Sequence, residues 1–541
     1  ATGGIVGKTT NTIANCYTSG IINITSNSYC AGGLVGESSS VISNCFVQGN
    51  ANIQGSYYVG GLVGSIAGSA TEVAVKGTVN VSGRRDVGGY FGQAQNVSNI
   101  VADFAGSVKG ESNVGGIVGS ASVVSNCTAS INVIGKEGYH AVSDTSTYGK
   151  VGGIAGSASQ ISQCSYNGTI TSKGTQGCGG IAGAVNIISN CYSSGLITGA
   201  GAYIGGIAGT IDNSSYGSAL RASATTSYSS MNINLNGTYK REKREYDSSN
   251  GWTTSIVDAT SSYVGGFAGA SYGEISNCYA TGNITTNGNM NIAGFAGLLQ
   301  ANSGSSTIQN CYATGNINIS SSQGSNIGGF AIKVTNSYAT GNITGAADSY
   351  SSAAFVGGVD TYSNIEISQC YASGIASSGY AFGGREVYSA HYNSLIISAT
   401  YGNSANTSTI TDGKTNCTKL TLAQLQNQAT MTANGFTTAK GWSYETGKTP
   451  MLKYTAGKTS TTNEQKYTYA SVRLPVNTNS KNLQEIIDNG ISGGNDDGGL
   501  AVEDDILGNV ISFPEKYLTI NIKSSDGSII KSLSFNQYSR I

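Results

Sequence analysis

Two short motifs alternate through most of this 541-residue chain, and that repetition limits the possible folds more than any other feature. One is Gly-Gly-apolar-small-Gly, at residues 32–36, 60–64, 115–119, 152–156, 179–183, 205–209 and 265–269. The other is Ile-Ser-Asn-Cys-Tyr-Ala-Thr-Gly-Asn-Ile, complete at 275–284. Near copies surround Cys16, Cys45, Cys127, Cys164, Cys191, Cys311 and Cys370, while Cys278 lies in the complete copy and Ser337 takes the cysteine slot in one more. Weaker copies centre on Val73, Ala102, Ser227 and His391. The slots recur about every 31 residues, inside the window of roughly 20–50 that marks solenoids and arrays.

Within one copy Ile275, Asn277 and Tyr279 alternate with Ser276, Cys278 and Ala280. A period of two, with β-branched and aromatic residues, specifies strands. The glycines read as tight corners between them. Proline would remove ladder donors, and all three prolines (Pro450, Pro475, Pro514) lie beyond the repeats. The expected fold is all-β: a parallel β-solenoid of about a dozen coils, followed by a small β-rich C-terminal domain. Coils stacked at ~4.8 Å give a rod roughly 60 Å long. Charged residues are only 11% of the chain, as expected if like charges would face each other in every ladder. The rod is expected over residues 1–400, with excursions near 136–150 and 211–262. The second holds the charged run 240–245.

Composition excludes several classes. Low charge with recurring Ile, Val and Tyr argues against disorder. A balance of 28 basic against 29 acidic residues leaves no electrostatic footprint for nucleic acid. No apolar run reaches the ~18 residues of a membrane span. The chain opens on Ala1, immediately before a repeat, which reads as a mature or trimmed form.

The pairing of Gly-Gly-Leu-Val-Gly (32–36) with Ser-Asn-Cys-Tyr-Ala-Thr-Gly-Asn-Ile (276–284) resembles the GLUG repeat. That repeat occurs in large secreted and surface proteins of bacteria, including adhesin-like proteins and a family of immunoglobulin A metallopeptidases. The stretch 420–452, with Phe436, Trp442 and Gly-Lys-Thr-Pro-Met-Leu at 447–452, is similar to the segment that closes such arrays, so 401–456 is read as an array-closing segment. The resemblance implies an extracellular adhesive or scaffolding protein and does not imply catalysis. A metallopeptidase would need His-Glu-x-x-His. This chain has only His140 and His391, neither followed by Glu.

Eleven cysteines could form a disulfide framework, but eight of them (Cys16, Cys45, Cys127, Cys164, Cys191, Cys278, Cys311, Cys370) share one slot. A reduced, buried ladder is the expectation, with one or two bridges or a metal site as alternatives. Cys30, Cys178 and Cys417 lie outside the slot in this reading, and Cys30 and Cys178 share a second position before a Gly-Gly pair. Asn15, Asn44, Asn126, Asn190, Asn277 and Asn310 precede the slot and suit an amide ladder. Tyr17, Tyr192, Tyr279, Tyr312 and Tyr371 follow it. They are expected to stack along the rod, as packing or as a glycan- or protein-contact stripe.

Residues 457–541 are expected to form the C-terminal domain, for subunit or surface attachment. Strands are expected at 467–476, 509–513, 517–522 and 528–535, a hairpin turn at Asp526-Gly527, and a short helix at 482–489. Asp496, Asp497, Glu503, Asp504 and Asp505 lie in a Gly-rich stretch and are calcium candidates, against a solvated loop. No cofactor and no catalytic residue is expected. Carboxylates in the repeats are scattered, although stacking could still bring two together as in polysaccharide lyases and hydrolases. A solenoid with an uncapped first coil exposes strand edges. The expected function is therefore a non-enzymatic extracellular, cell-surface filament subunit, a homo-polymer joined head-to-tail through the solenoid ends and the C-terminal region. A monomeric stalk-like adhesin for glycan or host protein is the alternative.

Overall fold

The computed structural model describes residues 1–27, 29–136, 149–212, 222–247, 251–259, 263–287, 291–299, 307–324, 327–328, 333–347, 353–355, 364–376, 394–406 and 417–452, and beyond these 469–473, 501–502, 517–523 and 529–536. The chain divides into two compact units, 1–456 and 457–541.

The first unit is a parallel β-solenoid. Its register can be followed on the first glycine of each Gly-Gly pair. Gly3 pairs with Gly32, Gly32 with Gly60, Gly60 with Gly88, and Gly88 with Gly115. The series continues through Gly152, Gly179, Gly205 and Gly265. Every one of these pairings is parallel, one coil apart.

The core follows the same arithmetic. From the second coil on, two residues beyond the first position of the pair (Ala293 in the last case) stand Leu34, Leu62, Tyr90, Ile117, Ile154, Ile181, Ile207, Phe267 and Phe295, all no more than 1% exposed. Phe267 and Phe295 stack with centroids 4.9 Å apart. Burying one such side chain stabilises by about 1.5–3 kcal/mol, so a coil gains its stability from the coil above and the coil below.

The Gly-Gly pairs stand at bends between strands, as expected of corners, but not because the backbone there is left-handed. None of them has a positive φ. They lack a side chain because there is no room for one: a Cβ on Gly116 would run into the carbonyl oxygen of Gly153 in the next coil, and a Cβ on Gly153 into that of Gly180. The left-handed corner lies elsewhere, on the residue before the cysteine slot. Asn15, Asn44, Asn99, Asn126, Gln163, Asn190, Asn277, Asn310, Asn336 and Gln369 all have φ between 46° and 59°. Asparagine recurs there because it tolerates this region better than most side chains.

Three slot assignments are corrected by the register. Val101 pairs with Thr128, which puts Ile100, not Ala102, opposite Cys127. Cys370 pairs with Thr400, so Thr400 fills the slot where His391 was expected, and His391 lies outside the described residues. Cys417 pairs with Thr400 and therefore occupies the slot instead of lying outside it. The first two departures were hidden by degenerate copies, in which Ile or Thr replaces the thiol. Pairing thus continues past residue 400 into the strand Cys417–Leu420. Cys178 pairs with Val151 immediately before the glycine, while Ala31, not Cys30, holds the corresponding place in its coil. The two cysteines occupy adjacent positions, not a shared one.

In the second excursion, Tyr239–Asp247 and Gly251–Ala259 form an antiparallel pair apart from the main sheet. Residues 137–148 of the first lie outside the described residues. In the unit 457–541, Ala501–Val502, Tyr469–Arg473, Tyr517–Lys523 and Ile529–Asn536 form a four-stranded sheet in that order. The last two strands pair antiparallel, as the hairpin reading requires. The two-residue strand at 501–502 was not foreseen. The expected strand at 509–513, the helix at 482–489 and the turn at Asp526-Gly527 lie outside the described residues.

Candidate functional site

The slot cysteines build one continuous internal ladder, and its chemistry explains why serine substitutes for cysteine. Each thiol donates to the carbonyl two residues earlier in its own chain: Cys45 to Ser43, Cys127 to Ser125 and Cys278 to Ser276, all at 3.1 Å. Cys16, Cys164, Cys191, Cys311 and Cys370 repeat the contact at 3.1–3.2 Å. Ser227 and Ser337 make the same bond through Oγ at 2.9 and 2.8 Å. The backbone N–H of Cys191 donates to Ser227 Oγ (3.1 Å), and that of Cys311 to Ser337 Oγ (3.0 Å). Where the slot residue is Cys or Ser, its donor hydrogen satisfies the carbonyl two residues back; Val73 and Ile100 fill the slot by size alone.

All eleven cysteines are free thiols, and nine are buried. Burial pushes the Cys178 thiol up to about 12 and holds Cys164, Cys311 and Cys370 above the ordinary thiol range. A thiol so displaced is a poor nucleophile and a poor metal ligand. No cluster of three or more metal-ligating side chains occurs among the described residues. Asp496, Asp497, Glu503, Asp504 and Asp505 all lie outside the described residues.

The asparagines at the corner form a second ladder. Asn44 Nδ2 donates to Asn15 Oδ1 (2.7 Å), Asn126 to Asn99 (2.6 Å), Asn310 to Asn277 (3.1 Å) and Asn336 to Asn310 (2.6 Å). A third ladder uses the asparagine of Thr-Gly-Asn-Ile. Asn283 Oδ1 accepts from the Asn316 N–H, and Asn316 Oδ1 from the Asn342 N–H, both at 2.9 Å.

Tyrosine forms the fourth ladder, and here the molecule is not uniform. Tyr192 and Tyr228 lie 4.6 Å apart, and from Tyr228 the series continues through Tyr279, Tyr312, Tyr338 and Tyr371 at 4.5–5.2 Å, with rings within 8° of parallel. Tyr17 stacks separately on Phe46 at 5.0 Å. Ala74, Val101, Thr128 and Ser165 occupy the position between these two runs. Rings stacked this way cover one another's faces along the axis. The faces that a sugar would use are therefore occupied everywhere except at an end.

The C-terminal run is covered by the segment that was read as closing the array. After the last strand, 421–452 lies along the side of the tyrosine ladder. Two short helices start it. Thr421 and Gln424 form a reciprocal capping box at Leu422–Leu425, and Asn427 caps Gln428–Ala433. Trp442 packs at 5.8 Å on both Tyr338 and Tyr371, and Phe436 meets Tyr371 and Tyr401 edge-on. Polar contacts fix the register. Trp442 Nε1 donates to Asn336 Oδ1 (2.8 Å), Lys440 Nζ to Gln369 Oε1 (2.9 Å), and the Tyr371 hydroxyl to the Pro450 carbonyl. Asn336 and Gln369 are corner residues, so the covering segment reads the repeat's own left-handed positions. Tyr371, beneath this segment, is fully buried, and Tyr279 and Tyr312 further along the ladder are at most 1% exposed.

One family model, that of the GLUG motif, matches part of the chain. It aligns at residues 260–285 and again at 288–318, each one coil with its glycine corner and its tyrosine rung. The chain carries the GLUG motif. No curated protein and no solved structure matches it. The remaining coils share the register of the two GLUG copies, which extends the geometry from Gly3 to Cys417.

The first coil is the exception to this coverage. Ile5 is 46% exposed at the position where Leu34, Leu62 and Ile117 are fully buried. Tyr17 is 58% exposed, Ile21 80% and Tyr29 69%. These are four of the eight large apolar side chains left exposed among the described residues. The sequence located the edge, but it gave no sign that the other end of the tyrosine ladder would be covered from the side.

Proposed function

We propose that this chain is a non-enzymatic extracellular rod that assembles end to end at the cell surface. The observation that carries the reading is Ile5, a core position left half open. A further coil in register would bury Ile5, stack on the open face of Tyr17 and pair the strands Thr2–Gly3, Val6–Thr9 and Tyr17–Thr25, whose partners among the described residues lie on one side only. We assign that coil to a second copy, which docks through its own solenoid end or C-terminal region. A head-to-tail contact of this kind produces filaments when its rotation does not close into a ring.

The cell-surface location rests on the resemblance to GLUG-bearing secreted proteins. The non-catalytic reading is supported by the burial of nine of the eleven thiols, which withholds them from a substrate. Electron microscopy of the full chain at rising concentration tests the proposal. Unbranched filaments of rod-like subunits are expected. Monodisperse particles at every concentration would refute assembly, and binding of such monomers on a glycan array would favour the stalk-like adhesin.

A further inference from the structure

The cysteine ladder places thiols in consecutive coils at three places: Cys16 with Cys45, the run Cys127, Cys164 and Cys191, and Cys278 with Cys311. Elsewhere a slot cysteine faces Ser, Thr, Val or Ile. In the second and third groups every thiol is at most 2% exposed, so no oxidant reaches them in the folded chain. Cys16 differs. It lies in the first coil, is partly exposed, and sits directly beside a buried thiol.

We propose that Cys16 and Cys45 are the one pair in the ladder that is oxidised to a disulfide in the folded chain, fastening the first coil to the second. The backbone is already in register: Ala14 pairs with Ser43, Tyr17 with Phe46, and the Phe46 N–H donates to the Cys16 carbonyl at 3.1 Å. Neighbouring strands in register hold their Cα atoms ~4.8 Å apart, inside the 4.4–6.8 Å range that disulfides accept. Cys45 Sγ leans toward the first coil, 3.8 Å from the Ile13 carbonyl oxygen as well as 3.1 Å from that of Ser43.

The oxidant is a small-molecule disulfide. The Cys16 thiolate attacks one of its sulfurs, breaking that S–S bond and releasing one small thiolate, which takes up the proton Cys16 lost. The Cys45 thiolate then attacks Cys16 Sγ in the mixed disulfide, forming the protein S–S bond and releasing the second small thiolate with the Cys45 proton. The balance is two protein thiols and one small disulfide converted to one protein disulfide and two small thiols. Cys16 attacks first because it is the exposed member, and Cys45 resolves the intermediate because it lies one rung away. The first coil has strand partners among the described residues on one side only, so it is where a covalent tie adds most to local order. The proposal does not depend on filament assembly. A second copy docked on the first coil would cover Cys16, so the bridge forms on a free end.

The test incubates the full folded chain with oxidised glutathione, alkylates it under native conditions and again after unfolding, and maps the peptides without reduction. The wild-type chain should yield one intramolecular bridge, Cys16 to Cys45, with Cys127, Cys164, Cys191, Cys278 and Cys311 alkylated only after unfolding. Cys45→Ser is the comparison, and the slot accepts serine natively at Ser227 and Ser337. It should stop at a glutathione adduct on Cys16. A persistent adduct on wild-type Cys16, a bridge between any other pair, two free thiols at 16 and 45, or a Cys45→Ser chain with no adduct would each overturn the proposal.

Discussion

The tyrosine rung of the first two coils and that of the last coils are the same position in the same repeat, with the same stacking geometry, yet their surroundings are opposite. Tyr17 rests on Phe46 with most of its surface in water, whereas Tyr312 and Tyr371 are sealed. Nothing in the rung itself differs enough to cause this. The difference is that 421–452 folds back over the late coils and clasps Asn336 and Gln369, while no described segment lies over the first coil. A repeat specifies its own internal ladders. Whether a ladder is core or surface is decided by non-repetitive chain far away in sequence, here through contacts spanning 71 to 106 residues.

The largest expected effect breaks the covered end. Trp442→Ala removes a fully buried indole from Tyr338, Tyr371 and Phe436 and leaves Asn336 Oδ1 without its donor. It should cost about 3–5 kcal/mol in urea unfolding and release hydrogen-exchange protection over 421–452. Tyr17→Ala should cost less than ~1 kcal/mol. Equal costs would contradict the asymmetry.

Glycine gives the next contrast. Gly116→Ala forces a methyl group into the Gly153 carbonyl in mid-rod and should destabilise by about 3 kcal/mol. At Gly20, in the first coil, nothing lies within 4 Å of an added Cβ, but φ is +84°, so Gly20→Ala should cost only about 1 kcal/mol. Thermal unfolding of the two variants checks the ranking, and a Gly116→Ala chain no less stable than Gly20→Ala would contradict the close approach of the coils at the Gly-Gly pair.

A smaller effect is a pH dependence. Cys178 titrates near 9 when unfolded and at about 12 when folded, because burial disfavours the thiolate. Its contribution is fully present below pH 9 and is lost as pH rises from 9 toward 12, at about 1.4 kcal/mol per unit. Cys178→Val should flatten part of the decline of unfolding free energy between pH 9 and 11. An unchanged slope would mean that this thiol is not buried as described.

Much of this fold was legible because the repeat reports its own geometry. The β-branched and aromatic residues of 275–284 indicated strands, although the corner at Asn277 breaks the expected alternation and puts Ile275 in one core with Cys278 and Ala280; the recurrence of Cys and Tyr marked the ladders, and the prolines lie beyond the repeats. The losses have specific causes. Ile100 and Thr400 were missed because the slot tolerates several residues, Ile100 without any donor hydrogen, and a motif search centred on cysteine slides past them. The left-handed φ at Asn15 and its equivalents was visible only as an asparagine preference, and the glycines were credited with that turn instead. The sideways course of 421–452 was not legible at all. Its helices are too short for periodicity, and its targets, Tyr338 and Tyr371, look identical in sequence to rungs that remain uncovered.

The central claim is that the open first coil is an assembly surface, and sedimentation across a concentration series tests it most directly. The full chain should show concentration-dependent growth into large species. Ile5→Asp should remain monomeric with an unfolding free energy within about 0.5 kcal/mol of wild type, because that side chain is half open in the isolated chain. A wild-type chain that stays monomeric, or an Ile5→Asp chain that assembles as readily, would contradict the account.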